Sequence, residues 1–257
     1  MIDTIFQDNW RNFFSGAYYD FATLPSTQQY LRNHSPLPRP IFCQALNQTA
    51  GEGQRGRQWQ STQTALTFSI RITLPDDMGL HQGLTQALAL TLVTTLDPDA
   101  DYLRLKWPND IFYRQRKLAG ILVEGQTNSK RLDSEVIIGI GINIADQTSC
   151  KDYAYWQEIS PSDSRETLLE RIMPRLIHCL EQWAQHPYLP IDHRWQDYDL
   201  FNKEIVMLEG QKTATQIFGI DQKGRLICRE TNKKLHYLTN TRILTRTLHK
   251  DSTCTFS

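Results

Sequence analysis

Apolar and polar residues alternate in several stretches of the chain, and the period changes from one stretch to the next. Leu66, Phe68, Ile70 and Ile72 are interleaved with Thr67, Ser69 and Arg71, a two-residue period that predicts a strand over 65–72. The run IFCQAL (41–46), entered through Pro36, Pro38 and Pro40, reads as another strand. Between 80 and 96 the spacing lengthens: Leu84, Leu88 and Leu92 stand four apart with Ala87 beside them, which predicts an amphipathic helix. Leu103, Leu105 and Trp107 alternate up to Pro108, the pattern resumes over Ile111 to Tyr113, and Arg114 to Arg116 has turn polarity. LAGILVE (118–124) reads as a buried strand, and EVIIGIGINI (135–144) has the continuous branched-apolar character of a central one. A short helix fits 27–33, capped by Ser26 or Thr27. A longer helix carries Leu168, Leu169, Ile172, Leu176, Leu180 and Trp183 behind a capping box of Asp163 and Glu166, with a kink expected at Pro174.

After about Asp199 the elements shorten. EIVML, TATQIFGI, RLICRE, KLHYL and RILTR are strand candidates separated by turn signals at Gly210, Gly219 to Gly224 and Asn232. Five short strands in about 50 residues predict a small β-barrel, marginal alone and packed on the preceding domain. The expected class is therefore α/β (α+β), with one domain over 1–199 and a second over 200–257.

Composition narrows the function classes. The 257 residues are 40% hydrophobic and 22% charged, and 28 Lys and Arg balance 28 Asp and Glu. Zero net charge leaves no electrostatic footprint for non-specific nucleic-acid binding, so an anion site must come from local residues. Five scattered cysteines without ligand spacing support neither a disulfide framework nor a zinc site. No apolar run is long enough to span a bilayer, and MIDTIFQDNW has no cationic start followed by an apolar stretch, so a soluble cytoplasmic protein without membrane contact is expected.

Four segments carry chemistry. GEGQRGRQW (51–59) combines three glycines with Arg55 and Arg57, which suits either a solvated hairpin or a loop that closes on carboxylate or phosphate oxygens. It has neither Walker A nor dinucleotide-fold spacing. KWPNDIF (106–112) sets Asn109 and Asp110 at a strand junction: a plain turn, or a carboxylate placed to orient an amine or bind Mg²⁺. RKLAGILVE (116–124) opens a strand with Lys117 beside the small Ala119 and Gly120; a lysine there is a solvated hairpin residue or a functional cation. In IGIGINI (138–144), Gly139 and Gly141 permit close approach, and Asn143 is either a structural hydrogen-bonding residue or a nucleotide contact.

In this order the segments resemble the biotin–protein ligases, whose usual pattern is G-R-G-R-x-G-R-x-W, K-W-P-N-D, K-L-[AG]-G-I-L-[VI]-E and G-[IA]-G-[IL]-N. The motif-bearing likeness runs from Leu24 to Ile144, with support from RWQDYD (194–199) and GIDQKGRL (219–226). It implies a catalytic domain with a mixed sheet, like that of class II aminoacyl-tRNA synthetases, followed by an SH3-like barrel. It also implies a two-step reaction: biotin and ATP give biotinyl-5′-AMP and pyrophosphate, then a carrier lysine takes the biotinyl group. The implied partner is the biotin carboxyl carrier protein or domain of acetyl-CoA carboxylase; Mg²⁺ accompanies ATP, no resident metal is expected, and a homodimer is compatible. Transferred residue by residue, Ser26, Thr27, Gln28, Gln48, Glu52, Gly53, Gln54, Lys117 and Gly120 are expected to bind biotin. Arg55, Arg57, Trp59, Lys106, Asn109 and Asn143 are expected on the ATP side, and Lys117, Asp110 and Arg55 in catalysis. Lys117 matches the lysine that neutralises the biotin carboxylate and the adenylate phosphate, and Asp110 is placed to receive the incoming lysine.

Three positions depart from the family pattern: Pro25 replaces an aspartate, Gln54 an arginine, and Glu52 another arginine, which lowers the loop's formal charge to +1. A Glu52 side chain turned away from ligand costs nothing; one facing the phosphates weakens retention of the adenylate. About 25 residues precede Ser26, too few for the winged helix of bifunctional members, so no DNA binding is expected. The alternatives are a lipoate–protein ligase, which shares fold and adenylate chemistry, and a non-catalytic biotin- or nucleotide-binding module.

Overall fold

The computed structural model describes residues 10–15, 17–33, 40–59, 64–75, 82–127, 133–145, 151–230 and 234–246. Pro36, Pro38, Asn232 and the start of the 80–96 stretch lie outside them. Among the described residues, strands β1 (Tyr18–Leu24), β2 (Ile41–Gln48), β5 (Leu66–Pro75), β6 (Leu103–Lys106), β7 (Asp110–Tyr113), β8 (Arg116–Thr127) and β9 (Asp133–Ile142) form one seven-stranded sheet in the order β1-β2-β5-β9-β8-β7-β6. β1 and β2 run parallel and every other neighbour is antiparallel, so the sheet is mixed. β3 (Gly51–Glu52) and β4 (Gln58–Trp59) pair across the glycine-rich loop.

The two faces of the sheet are covered differently. Helices α2 (Leu84–Leu96) and α3 (Arg165–Gln185) close one face, against Leu66, Phe68, Ile70 and Ile72 of β5 and Val136, Ile138, Ile140 and Ile142 of β9. Helix α1 (Thr27–Asn33) covers the other, where Leu31 packs with Ile41, Cys43 and Ile137. The predicted alternation in β5 is thus real, yet its second face is buried too: Ser69 and Arg71 bond to α1, Arg71 through the Leu31 carbonyl at 2.9 Å, and Thr67 donates to the Ala45 carbonyl of β2 at 2.9 Å.

Two expectations about helices are corrected. α2 is apolar almost all round rather than amphipathic, because it is wedged between α3 and the sheet; Leu84, Ala87, Leu88, Ala89, Leu90, Leu92 and Val93 are all buried. The cap of α3 is Ser164, not Asp163. Ser164 Oγ accepts from Thr167 N at 3.1 Å, while Asp163 receives the Trp156 indole N–H at 2.9 Å and pairs with Arg171 at 3.0 Å. α3 continues through Pro174 to Gln185. None of the described helices is long and apolar enough to cross a membrane.

After α4 (Trp195–Tyr198), strands β10 (Ile205–Leu208), β11 (Thr215–Ile220), β12 (Leu226–Glu230), β13 (His236–Leu238) and β14 (Ile243–Arg246) form an antiparallel half-barrel in the order β13-β12-β11-β10-β14. It is pinned to the rest of the chain at the K-W-P-N-D segment. Trp107 Nε1 donates to the Gly224 carbonyl at 2.9 Å, and a Cβ on Gly224 would lie 2.7 Å from Gly83 Cα. On the other side Gln86 Nε2 donates to the Pro108 carbonyl at 2.9 Å.

Candidate active site

An open cleft of about 470 Å³ lies where α1, the β3–β4 loop and the α1-side face of β5, β8 and β9 meet. Its lining brings together Ser26, Thr27, Gln28, Gln48, Glu52, Gly53, Gln54, Lys117 and Gly120, together with Trp59 and Asn109.

One end is polar because α1 starts there. Ser26 Oγ caps the helix by accepting from Gln29 N at 3.2 Å, which points Thr27 and Gln28 at the sheet. Thr27 N donates to Gln48 Oε1 at 2.7 Å, and the Thr27 and Ser69 hydroxyls stand 2.8 Å apart. Ser69 donates to Gln28 Oε1 at 3.1 Å, and Gln28 Nε2 donates to Glu124 Oε2 at 2.9 Å and to the Ile137 carbonyl at 3.2 Å. Glycines are required where side chains press on this floor. A Cβ on Gly139 would lie 2.7 Å from Gln28 Oε1, and one on Gly141 would lie 2.5 Å from the Trp59 ring.

At the other end Lys117 Nζ stands 2.7 Å from Asp110 Oδ1, an ion pair rather than an aligned hydrogen bond, and 5.4 Å from the Trp59 ring centroid. Gly120 leaves the room for this, since its Cβ would lie 3.2 Å from both Lys117 Nζ and Trp59. Trp59 Nε1 is buried and has no hydrogen-bond partner among the described residues, so it remains a donor for a ligand oxygen. Asn109 Nδ2 is spent on the Ile121 carbonyl at 3.0 Å.

Beyond Lys117, Lys106 and Arg242 lie within electrostatic reach of Asp110, and Arg57 within reach of both of these cations. Burial pushes the Lys106 ammonium below the usual lysine range; Arg242, Lys117 and Arg57 push the same way, and Asp110 opposes them. Arg242 is likewise lowered, first by burial and then by Arg57. A local excess of positive charge of this kind attracts polyphosphate.

Several expected residues do not reach the cleft lining. Arg55, at φ 57°, turns its guanidinium outward to Glu209 and to Asn240 Oδ1, the latter at 2.6 Å, both in the half-barrel segment. Asn143 Nδ2 donates to the Lys117 and Ala154 carbonyls at 3.2 and 3.3 Å. Lys106 lies over the Phe112 ring at 5.5 Å. Glu52 does line the cleft, but its carboxylate turns toward α1, where Arg32 Nη2 stands 2.5 Å from Oε2. Thr67, Ser69, Glu124, Arg32 and Arg242 are not among the site residues that the sequence pointed to. The short polar residues at alternate positions of a strand were the available signal for Thr67 and Ser69; nothing local marks Arg242.

The comparisons agree with this geometry. Residues 21–143 match the Biotin/lipoate A/B protein ligase family. The bifunctional ligase/repressor BirA of Escherichia coli is 34% identical over 229 residues, which cover 82% of this chain and 69% of that protein. The biotin–[acetyl-CoA-carboxylase] ligase of Mycobacterium tuberculosis is 29% identical, over 71% of this chain and 70% of that one. Among solved structures, the biotin protein ligase from Aquifex aeolicus in complex with biotin and ATP superposes with a TM-score of 0.74 at 22% identity, covering 89% of this chain and 100% of that one.

Proposed function

The chain belongs to the biotin/lipoate A/B protein ligase family, and on that premise we propose that its cleft activates biotin with ATP and passes it to a lysine of a biotin carboxyl carrier domain. The observation that carries this reading is the pairing of a polar end, rich in both donors and acceptors, with a lysine–carboxylate pair at the other end. Gln28, Thr27, Ser69 and Gln48 suit a ring bearing N–H groups and a carbonyl, while Lys117 suits the acid's carboxylate.

In the first step the biotin carboxylate oxygen bonds to the ATP α-phosphorus and the bond to pyrophosphate breaks. Anions must meet, and Lys117 lowers that repulsion, with Lys106, Arg57 and Arg242 offsetting the polyphosphate charge. Magnesium bound to the ATP substrate would supply further charge neutralisation. Arg55 reaches the phosphates on release from Glu209 and Asn240. In the second step the carrier lysine nitrogen bonds to the acyl carbon, AMP leaves, and Asp110 orients the amine or takes its proton.

The test is incubation with ATP, biotin and a biotin carboxyl carrier domain, read by streptavidin blot, together with pyrophosphate release on biotin or lipoate. Label on the carrier and biotin-dependent pyrophosphate are expected. Pyrophosphate release on lipoate alone, or no label, overturns the reading.

A further inference from the structure

The acidic residue in the glycine loop does not face the cations of the site; it is held from outside the loop. Arg32, on the last turn of α1, places Nη2 2.5 Å from Glu52 Oε2 and 2.8 Å from Glu124 Oε2, so one guanidinium joins the loop to strand β8. The Glu124 oxygen that takes Arg32 also takes the Gln28 amide, at 2.9 Å. An ionised carboxylate only accepts, so it fixes which way the Gln28 carboxamide lies: NH₂ toward Glu124, Oε1 toward Ser69 and the cleft floor. The chain of contacts runs from the loop to the ring-binding end without a break.

We propose that Arg32 is a positioning residue for acid recognition, acting through Glu52 to hold the glycine loop over the cleft and through Glu124 to orient Gln28. Without it, two carboxylates are left facing one another across the gap it fills. Repulsion then moves the loop, and Glu124 loses the cation that holds it against the Gln28 amide. The three side chains are each about one-third exposed, 32%, 31% and 36% for Arg32, Glu52 and Glu124. A bridge so wetted contributes little to global stability, which places its effect on the geometry of the cleft instead.

The substrate readout rests on the biotin reading, so the experiment carries a second readout that does not. Initial rates of pyrophosphate release are measured against biotin and against ATP for the parent chain, Arg32→Gln, Glu124→Gln, their double variant, and Arg32→Lys. In parallel, trypsin cleavage after Arg55 and Arg57 is timed without ligand. Expected are a rise of about tenfold in KM for biotin in each Gln variant, with kcat and KM for ATP within about twofold. The double variant should be no worse than either single one. Arg32→Lys, a point charge that cannot fork to two carboxylates, should recover part of the loss. Loop cleavage should quicken about tenfold in Arg32→Gln. A fall in kcat with KM unchanged would indicate a structural role and overturn the proposal, as would additive losses or unaltered cleavage. A parent chain that turns over lipoate and no biotin defeats the functional reading alone, and the cleavage comparison still decides whether Arg32 holds the loop.

Discussion

Lys117 occupies the cleft because Gly120 leaves space for it beside Trp59, and its ammonium stands 2.7 Å from Asp110 Oδ1 and 5.4 Å from the Trp59 ring centroid. Lys117→Gln is expected to lower kcat/KM for adenylate formation by about 10²–10³, the scale for losing one charge-stabilising donor. Single-turnover pyrophosphate release checks this, and a loss below tenfold would remove Lys117 from the mechanism. Gly141→Ala drives a methyl group into the Trp59 ring. A stability loss of about 1–3 kcal/mol is expected in urea unfolding, together with a raised KM. At this scale the sequence is most readable where a short polar residue starts a helix, as with the Ser26 cap of α1. It is least readable where a side chain reaches across the fold: nothing around Arg55 announces Glu209 or Asn240, more than 150 positions later. Nor does the sequence of α1 show that Arg32 answers the charge of Glu52.

Strands and helices follow their periodicity closely, because alternation in β5 and the four-residue spacing in α2 are both enforced by burial. What periodicity leaves open is how many sides are covered. α2 and the polar face of β5 are both more enclosed than their patterns indicate, since coverage depends on which elements arrive later in the chain. Capping is ambiguous in the same way: Asp163 and Ser164 are adjacent cap-forming residues, and Trp156 decides between them by taking the carboxylate. Ser164→Ala should therefore cost about 1 kcal/mol in chemical denaturation. An unchanged midpoint would mean that Asp163 can shift to take over the cap.

Among the described residues, Asp199 and Trp107 mark two buried places where the half-barrel meets the rest of the molecule. At Asp199, burial lifts the carboxyl to about 6, against the opposing pull of the Phe201 N–H, which donates to Oδ1 at 2.9 Å. A folded-state value above the ordinary one means that the fold prefers the protonated form. This contribution is full below about pH 4 and is lost as pH rises through about 6. Asp199→Asn should thus be more stable than the parent by on the order of 2 kcal/mol at pH 8, with the gap closing at pH 4. Thermal unfolding across that range tests it, and a pH-independent gap would refute the burial argument. The second place is Trp107, whose segment carries Asp110 while its indole N–H reaches the turn at Gly224. That one proton is a built-in reporter. Its NMR resonance will shift when the turn at Asp221–Gly224 loosens, so docking of the half-barrel can be followed by a nucleus three residues from the lysine–carboxylate pair.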